Sequence, residues 1–187
     1  MSGTQVIAVV GSGAAACGLA CRAADAGHEV RLYHGDSAAL ALAQGLVRDA
    51  VERAVTAGRL DPGRRQRVLD GILATDDLTE AVTHASLIVE AADCSGAERR
   101  RLVMRLGEAS RASAVVATVA DPDALMDYLP NPGRLLGLRL PLDLDAPEGS
   151  EAEVVPGVET VPHALERARH FLRELGLEPR LTAPRAG

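Results

Sequence analysis

Short apolar runs and longer stretches with helical spacing alternate along the chain. The apolar runs predict buried strands near residues 5–10, 28–33, 86–92, 114–118, 134–140, 152–155 and 178–182. The stretches between them predict helices at about 14–26, 37–57, 62–69, 96–109 and 161–175, and a short helix after a turn at 75–80. Alternating strands and helices are typical of an α/β fold with a mostly parallel sheet.

The segment 37–71 is longer than a crossover between parallel strands needs. Its first helix ends at Gly58, and the sequence Asp61-Pro62-Gly63 is typical of the cap and first turn of another helix. We therefore predict a helical hairpin inserted after the second strand. No repeat or linker divides the chain, so we expect a single domain over residues 1–187.

The first predicted strand runs into a glycine-rich turn that opens an alanine-rich helix. Gly11 makes the turn, Gly13 allows close approach of a pyrophosphate, and Ala16 holds the position where Gly or Ala permits tight helix packing. Backbone amides at the start of such a helix bind phosphate. The loop, which includes Ser12 and Ala15, thus predicts dinucleotide binding. The alternative is a structural turn that no longer binds a nucleotide.

Composition excludes several classes of partner. The net charge is −6 and the chain has no Trp, one Phe and two Tyr, which argues against nucleic acid, because binding it needs a basic face and often aromatic stacking. There is no signal-peptide pattern after Met1 and no apolar run of about 18 residues, so we expect no membrane partner and a cytoplasmic location.

The cysteines predict neither a disulfide framework nor a metal site. The chain has three cysteines, and an odd number cannot all pair in disulfides, which fits a reducing compartment. Cys17 and Cys21 lie one helical turn apart, and we interpret them as small apolar residues on the packed face of the first helix, because no other ligand set has the spacing that a metal requires.

Four groups of residues resemble the NAD-binding domain of 3-hydroxyacyl-CoA dehydrogenases in both order and spacing. They are the glycine loop with Gly18-Leu19-Ala20 and Ala26-Gly27-His28-Glu29-Val30; Ala57-Gly58-Arg59-Leu60 with Ile72-Leu73-Ala74-Thr75-Asp76-Asp77-Leu78; Val89-Glu90-Ala91; and Arg134-Leu135-Leu136-Gly137-Leu138 with Glu153-Val154-Val155. The resemblance implies a Rossmann-type, doubly wound sheet with helices on both faces and NAD as cofactor. It also implies a thioester substrate carried by CoA or a carrier protein, with Arg59 as a phosphate contact on the hairpin.

The sequence departs from this family where the family does its chemistry. Arg139 stands where the resemblance implies a general-base His, and an arginine does not release its proton near neutral pH. Glu153 matches the family Glu that orients this His; the alternative is that Glu153 only begins a strand at the sheet edge. The segment 117–122 lacks the family's Asn and Ser, which contact substrate.

The positions around the cofactor are also altered. His34 replaces the acidic residue that would hold the adenosine ribose, and only an inward turn of Asp36 would restore a carboxylate. No Arg follows to favour a 2′-phosphate, so NADP is not the expected substitute. Ala92 and Arg99 match family positions near the cofactor, with Cys94 in place of an acid. The alternative for Arg99 is a solvated face shared with two further arginines.

Two functions follow from the resemblance. The first is an NAD(H)-binding member of the family in which hydride transfer to or from a 3-hydroxyacyl thioester is weak or lost, so that enzymatic activity stays undecided. The second is a non-catalytic binding or assembly module that forms a homo-oligomer, partners another enzyme subunit or serves an acyl-carrier system. The family also has a C-terminal helical domain, which we expect this chain to lack.

Overall fold

A computed structural model describes residues 3–141 and 147–182 of the chain. Within these residues one sheet is formed by eight strands. They are β1 (Val6–Val10), β2 (Glu29–Tyr33), β3 (Ile72–Thr75), β4 (Leu87–Glu90), β5 (Val115–Thr118), β6 (Leu135–Arg139), β7 (Glu151–Pro156) and β8 (Glu178–Leu181).

The strand order is β3-β2-β1-β4-β5-β6-β7-β8. All neighbouring pairs are parallel except β6 with β7, which is antiparallel. Strands β4 and β5 are buried at every residue, as expected for central strands covered on both faces. The order reverses between β1 and β4, and in such sheets the ligand crevice lies at this reversal, beyond the carboxyl ends of the strands. The predicted α/β, mostly parallel fold is confirmed.

Helices cover both faces of the sheet. They are α1 (Ala14–Asp25), α2 (Ser37–Thr56), α3 (Arg65–Asp70), α4 (Leu78–Val82), α5 (Gly96–Ala109) and α6 (Pro162–Glu174). Helices α1, α2, α3 and α6 enclose one apolar core, whereas α4 and α5 enclose the other. None of the described helices is long and apolar enough to cross a membrane.

One strand was not predicted from the sequence. Strand β3 has four residues, pairs only with β2 and exposes Leu73 at the sheet edge. A short edge strand that directly follows a helix lacks the continuous apolar run that reveals a central strand. The predicted helical hairpin is present as α2 and α3, joined through a 3₁₀ turn at Pro62–Arg64.

The two helix cysteines are packed between helices, as predicted. Cys17 Sγ donates to the carbonyl of Ala43 on α2 (3.5 Å), and Cys21 Sγ donates to that of Val47 (3.8 Å). Burial raises the pKa of Cys17 to about 11 and that of Cys21 to about 12, so both remain thiols. Across residues 3–141 and 147–182, no group of three or more His, Cys, Asp or Glu side chains is arranged to hold a metal.

Arg134 directly precedes β6 and forms hydrogen bonds to the end of α5 and the segment that follows it. Its side chain is almost completely buried, and burial lowers the pKa of its guanidinium. The guanidinium donates to the Ser110 hydroxyl and to the carbonyl oxygens of Gly107, Arg111, Ala114 and Pro130. The Gly107 carbonyl lies in the last turn of α5, where helical acceptors lack intrahelical partners. Arg134 therefore supplies donors to carbonyls at the end of α5 and in the segments beside it.

We predict that Arg134→Ala lowers the free energy of unfolding by about 3–5 kcal/mol, because it leaves a cavity and several unsatisfied buried carbonyls. Arg180→Ala is the control, since Arg180 pairs with Glu151 at an exposed site and should contribute less than about 1 kcal/mol. Chemical denaturation measures both. Equal losses in the two variants would contradict the assigned role of Arg134.

His28 is a buried ring between β2 and α6. It packs against Phe171, with ring centroids 5.8 Å apart, and its Nε2 lies 3.6 Å from Glu174 Oε2, too far for a hydrogen bond. Burial lowers the pKa of His28 below its usual 6.5, an effect that Glu174 opposes and His170 reinforces. The folded chain therefore binds a proton at this site less readily than the unfolded chain.

This pKa shift predicts a loss of stability in acid. Below about pH 6.5 the unfolded state takes up a proton at His28 that the folded state does not, so the free energy of unfolding falls by up to about 1.4 kcal/mol per pH unit until the folded state is also protonated. Denaturation at pH 7.5 and 5.5 should show a smaller pH effect in His28→Gln than in wild type. The exposed-site variant His84→Gln should behave as wild type; a wild-type response in His28→Gln would refute the assignment.

Candidate functional site

The glycine loop follows β1 and contacts the carboxyl ends of both neighbouring strands, β2 and β4. Gly11 donates its backbone N–H to the carbonyl of Tyr33 at the end of β2 (2.9 Å) and has a φ of 139°, a region that favours glycine. A Cβ at Gly11 would lie 2.7 Å from the carbonyl oxygen of Ala91, just after β4. A side chain at this position would therefore force β1 and β4 apart.

The start of α1 fits an anion. Gly13 is the N-cap, no side chain caps the helix there, and its first turn carries no acidic residue. A Cβ built on Gly13 would meet nothing within 4 Å, so the space above the loop is open. Ser12 and Ala15 are partly exposed beside it, while Ala16 is buried in the core. These amides and this open space suit the pyrophosphate of a dinucleotide.

At the ribose corner, His34 and Asp36 are held by different contacts. His34 lies at the end of β2, as predicted, and its Nδ1 accepts the backbone N–H of Asp36 (3.1 Å). The Asp36 carboxylate, however, does not turn into the crevice, because it caps α2 by accepting the N–H of Ala39 (2.7 Å). An acidic cap at a helix N-terminus is stabilising, and this interaction orients the side chain.

A buried carboxylate lies beside the loop at the end of β4. Glu90 is fully buried and accepts hydrogen bonds from the Ala92 N–H (2.9 Å), the Thr118 hydroxyl (2.6 Å) and Arg99 Nε (3.1 Å). The interpretation of Arg99 as part of a solvated face is therefore wrong: its guanidinium turns inward to Glu90 and also donates to the carbonyl of Ala92. A buried charge requires such a partner.

Sequence reasoning assigned no role to Glu90 or Thr118, although each ends an otherwise apolar strand. A carboxylate at the last position of a buried strand is the signal that points to this cluster, because a buried charge needs partners nearby. The cluster fixes Ala92 and Arg99 at the crevice wall, next to the glycine loop. Both remain predicted cofactor contacts.

Arg139 and Glu153 form an ion pair at the end of β6. The two residues face each other across the antiparallel pair of β6 and β7, and Arg139 Nη1 lies 2.9 Å from Glu153 Oε2. Their side chains are 46% and 42% exposed. Glu153 lies inside β7, so the alternative in which it begins a strand is wrong. The carboxylate of Glu153 therefore has a guanidinium as its partner.

Most of the predicted positions meet along one edge of the sheet. The glycine loop follows β1, Ala92 and Arg99 come after β4, and His34 follows β2. Arg139 is the last residue of β6 and pairs with Glu153 on β7. Arg59 does not join them. It follows α2, whose 20 residues span about 30 Å from the cap beside His34, and it lines a separate recess of about 700 Å³ with Arg22 and Arg64.

The sequence matches a known family over most of its length. Residues 6–182 match the family described as 3-hydroxyacyl-CoA dehydrogenase, NAD binding domain. The 3-hydroxyadipyl-CoA dehydrogenase of Escherichia coli (strain K12) is 29% identical over 182 residues, which are 96% of this chain and 38% of that protein. The chain thus spans less than two fifths of the length of this curated relative.

Solved structures give the same result. The 3-hydroxybutyryl-CoA dehydrogenase of Escherichia coli K12 superimposes with a TM-score of 0.88 at 26% identity, over 98% of this chain and 39% of that one. FadB2 of M. tuberculosis superimposes with a TM-score of 0.90 at 25% identity, over 100% of this chain and 66% of that one. The resemblance read from the sequence, the Rossmann-type fold and the NAD-binding class are confirmed.

The two loop glycines predict different defects. Gly13→Ala places a methyl group in the open space of the pyrophosphate, so we expect NADH affinity to fall about tenfold or more while stability changes by less than about 1 kcal/mol. Gly11→Ala should instead cost about 2 kcal/mol or more in stability, because its Cβ meets backbone. NADH fluorescence titration and chemical denaturation separate the two effects. Unchanged NADH binding in Gly13→Ala would contradict the site.

Proposed function

Because the chain belongs to the family of 3-hydroxyacyl-CoA dehydrogenase NAD-binding domains, we propose that it binds NAD(H) and that hydride transfer to or from a 3-hydroxyacyl thioester is weak or lost. The supporting observation is the ion pair between Arg139 and Glu153. It occupies the position of the family's general-base His and the Glu that orients it. The proposed substrate class is a thioester of CoA or of a carrier protein.

The residues divide the proposed reaction into a binding part and a chemical part. When bound, NAD(H) supplies or accepts the hydride. The amides of the glycine loop hold its pyrophosphate, and Ala92 and Arg99 line the wall on which the nicotinamide half would lie. Removal of a proton from the substrate hydroxyl would then fall to position 139, where a guanidinium is no base near neutral pH, so the step lacks a base.

An intact NAD site with a missing base predicts a specific pattern. NADH should bind, and acetoacetyl-CoA should be reduced slowly or not at all. General acid–base groups typically contribute about 10²- to 10⁴-fold in rate, which is the size of the expected defect.

The proposal includes two further assignments. The continuous sheet of the described residues supports a single domain over residues 1–187. The three cysteines, all of them free, support a cytoplasmic location.

The second candidate function is a non-catalytic binding module, and exposed apolar side chains on α2 favour it. Leu42 is 73% exposed and Leu46 is 38% exposed, one turn apart on the same helix. A second copy of the chain or a partner subunit would cover them. Sedimentation velocity tests this candidate: concentration-dependent association supports it, and a monomer that captures no partner counts against it.

We predict that Arg139→His restores part of the missing chemistry. In this direction the substrate carbonyl oxygen must gain a proton as hydride is added to its carbon, and a protonated imidazole beside Glu153 would donate it. The rate of NADH oxidation by acetoacetyl-CoA should therefore rise on the order of 10²-fold. The matched control is Arg180→His, which replaces another exposed arginine paired with a glutamate on β7 and should leave the rate unchanged. The decrease in NADH absorbance measures this rate in wild type, Arg139→His and Arg180→His.

Two results would contradict the proposal. A wild-type rate that Arg139→His lowers would show that the arginine itself supports turnover. An equal gain in Arg139→His and Arg180→His would show that the imidazole acts through bulk buffering and not through the pair with Glu153.

A further inference from the structure

The adenosine corner of the site contains a carboxylate that comes from β3 and not from β2. Tyr33 and Thr75 are partners at the ends of β2 and β3, so the next residues, His34 and Asp76, leave neighbouring strands at the same edge. The hydrogen bond from Gly11 to the Tyr33 carbonyl connects this corner to the glycine loop. A dinucleotide whose pyrophosphate lies on the loop therefore extends its adenosine ribose across these two strand ends.

The acidic residues at this corner have different hydrogen-bond partners. Asp36 caps α2 and Asp77 caps α4, each through backbone N–H groups that fix the carboxylate. Glu80 accepts the hydroxyl of the last residue of β3. Asp76 is exposed and accepts the Ser37 hydroxyl (2.7 Å), which leaves it bound to a rotatable side chain at the start of α2. A carboxylate can accept about four hydrogen bonds, so Asp76 has capacity for a ligand hydroxyl.

His34 complements Asp76 with a donor. Its Nδ1 lies 3.1 Å from the backbone N of Asp36 and 3.4 Å from the carbonyl oxygen of the same residue. In the shorter contact Nδ1 accepts, which in the neutral ring places the proton on Nε2. Nε2–H is then the donor that the ring can offer to a ligand oxygen. The two hydroxyls of a ribose each donate and accept, so a donor and an acceptor on adjacent strand ends match them.

We propose that Asp76 and His34 together hold the adenosine ribose of NAD, and that Asp76 selects NAD over NADP. Asp76 accepts a ribose hydroxyl in place of the acidic residue that normally ends β2, and His34 donates to the neighbouring oxygen. A 2′-phosphate would bring two negative charges next to Asp76, with Asp36 and Asp77 nearby, and is disfavoured. This inference rests on NAD binding by the domain and does not depend on turnover.

Titration of the purified chain with NADH and NADPH, followed by nucleotide fluorescence, tests the proposal. We expect wild type to bind NADH at least about tenfold more tightly than NADPH. Asp76→Asn should weaken NADH binding by about tenfold, because a charged acceptor is lost, and should reduce the preference for NADH over NADPH by a similar factor. Thermal unfolding confirms that Asp76→Asn is folded, which its exposure favours.

Glu108→Gln is the matched control. Glu108 lies on α5, is exposed and lines the same shallow recess as Asp76, but it is not at the end of a strand. The Glu108→Gln substitution removes one negative charge near Asp76 without changing the ribose corner. The dissociation constants for NADH and NADPH should therefore both stay within about twofold of wild type.

The outcomes are distinct. Unchanged dissociation constants for NADH and NADPH in Asp76→Asn would overturn the role of Asp76. Equal changes of these constants in Asp76→Asn and Glu108→Gln would show a general effect of charge and would overturn that role as well. If wild type binds neither nucleotide, the NAD site itself fails and the inference fails with it. A shift confined to Asp76→Asn supports the proposal.

Discussion

The close approach of β1 and β4 at Gly11 is the constraint on which the rest of the site depends. The glycine backbone lies against the carbonyl of Ala91, so that a Cβ would come within 2.7 Å of its oxygen. This contact lies where the strand order reverses, and α1 begins just after it with no side-chain cap on its first turn. The fully buried Glu90, one residue before Ala91, adds a polar cluster that fixes the neighbouring wall. One backbone contact thus positions both halves of the crevice.

The two halves of the crevice respond differently to sequence change. The phosphate half is made of backbone amides and an open space, so it persists as long as the glycines remain. The reacting half depends on individual side chains. In the proposed function, a guanidinium at position 139 leaves this half without a proton acceptor, and Glu153 forms an exposed ion pair whose contribution to stability is at most about 1 kcal/mol. Binding and chemistry can therefore separate within one fold.

The sequence predicts most of the fold and part of the site. Continuous apolar runs identify β1, β4 and β5, alternation of charged and apolar residues identifies β2, and the glycine turn identifies the crevice. Burial and backbone conformation leave direct marks on residue type. Strand β3 leaves no such mark, since it is a short edge strand. The inward turn of Arg99 depends on which partner a flexible side chain meets in three dimensions. Spacing alone does not determine that choice.

A crystal structure of the chain with NAD⁺ tests the central claim most directly: a retained nucleotide site beside a position that no longer transfers protons. We expect the pyrophosphate to lie against the amides at the start of α1. Arg139 should remain paired with Glu153 near the nicotinamide. Pyrophosphate density away from the glycine loop would contradict the account, as would an Arg139 that leaves Glu153 and opens the carboxylate to the crevice.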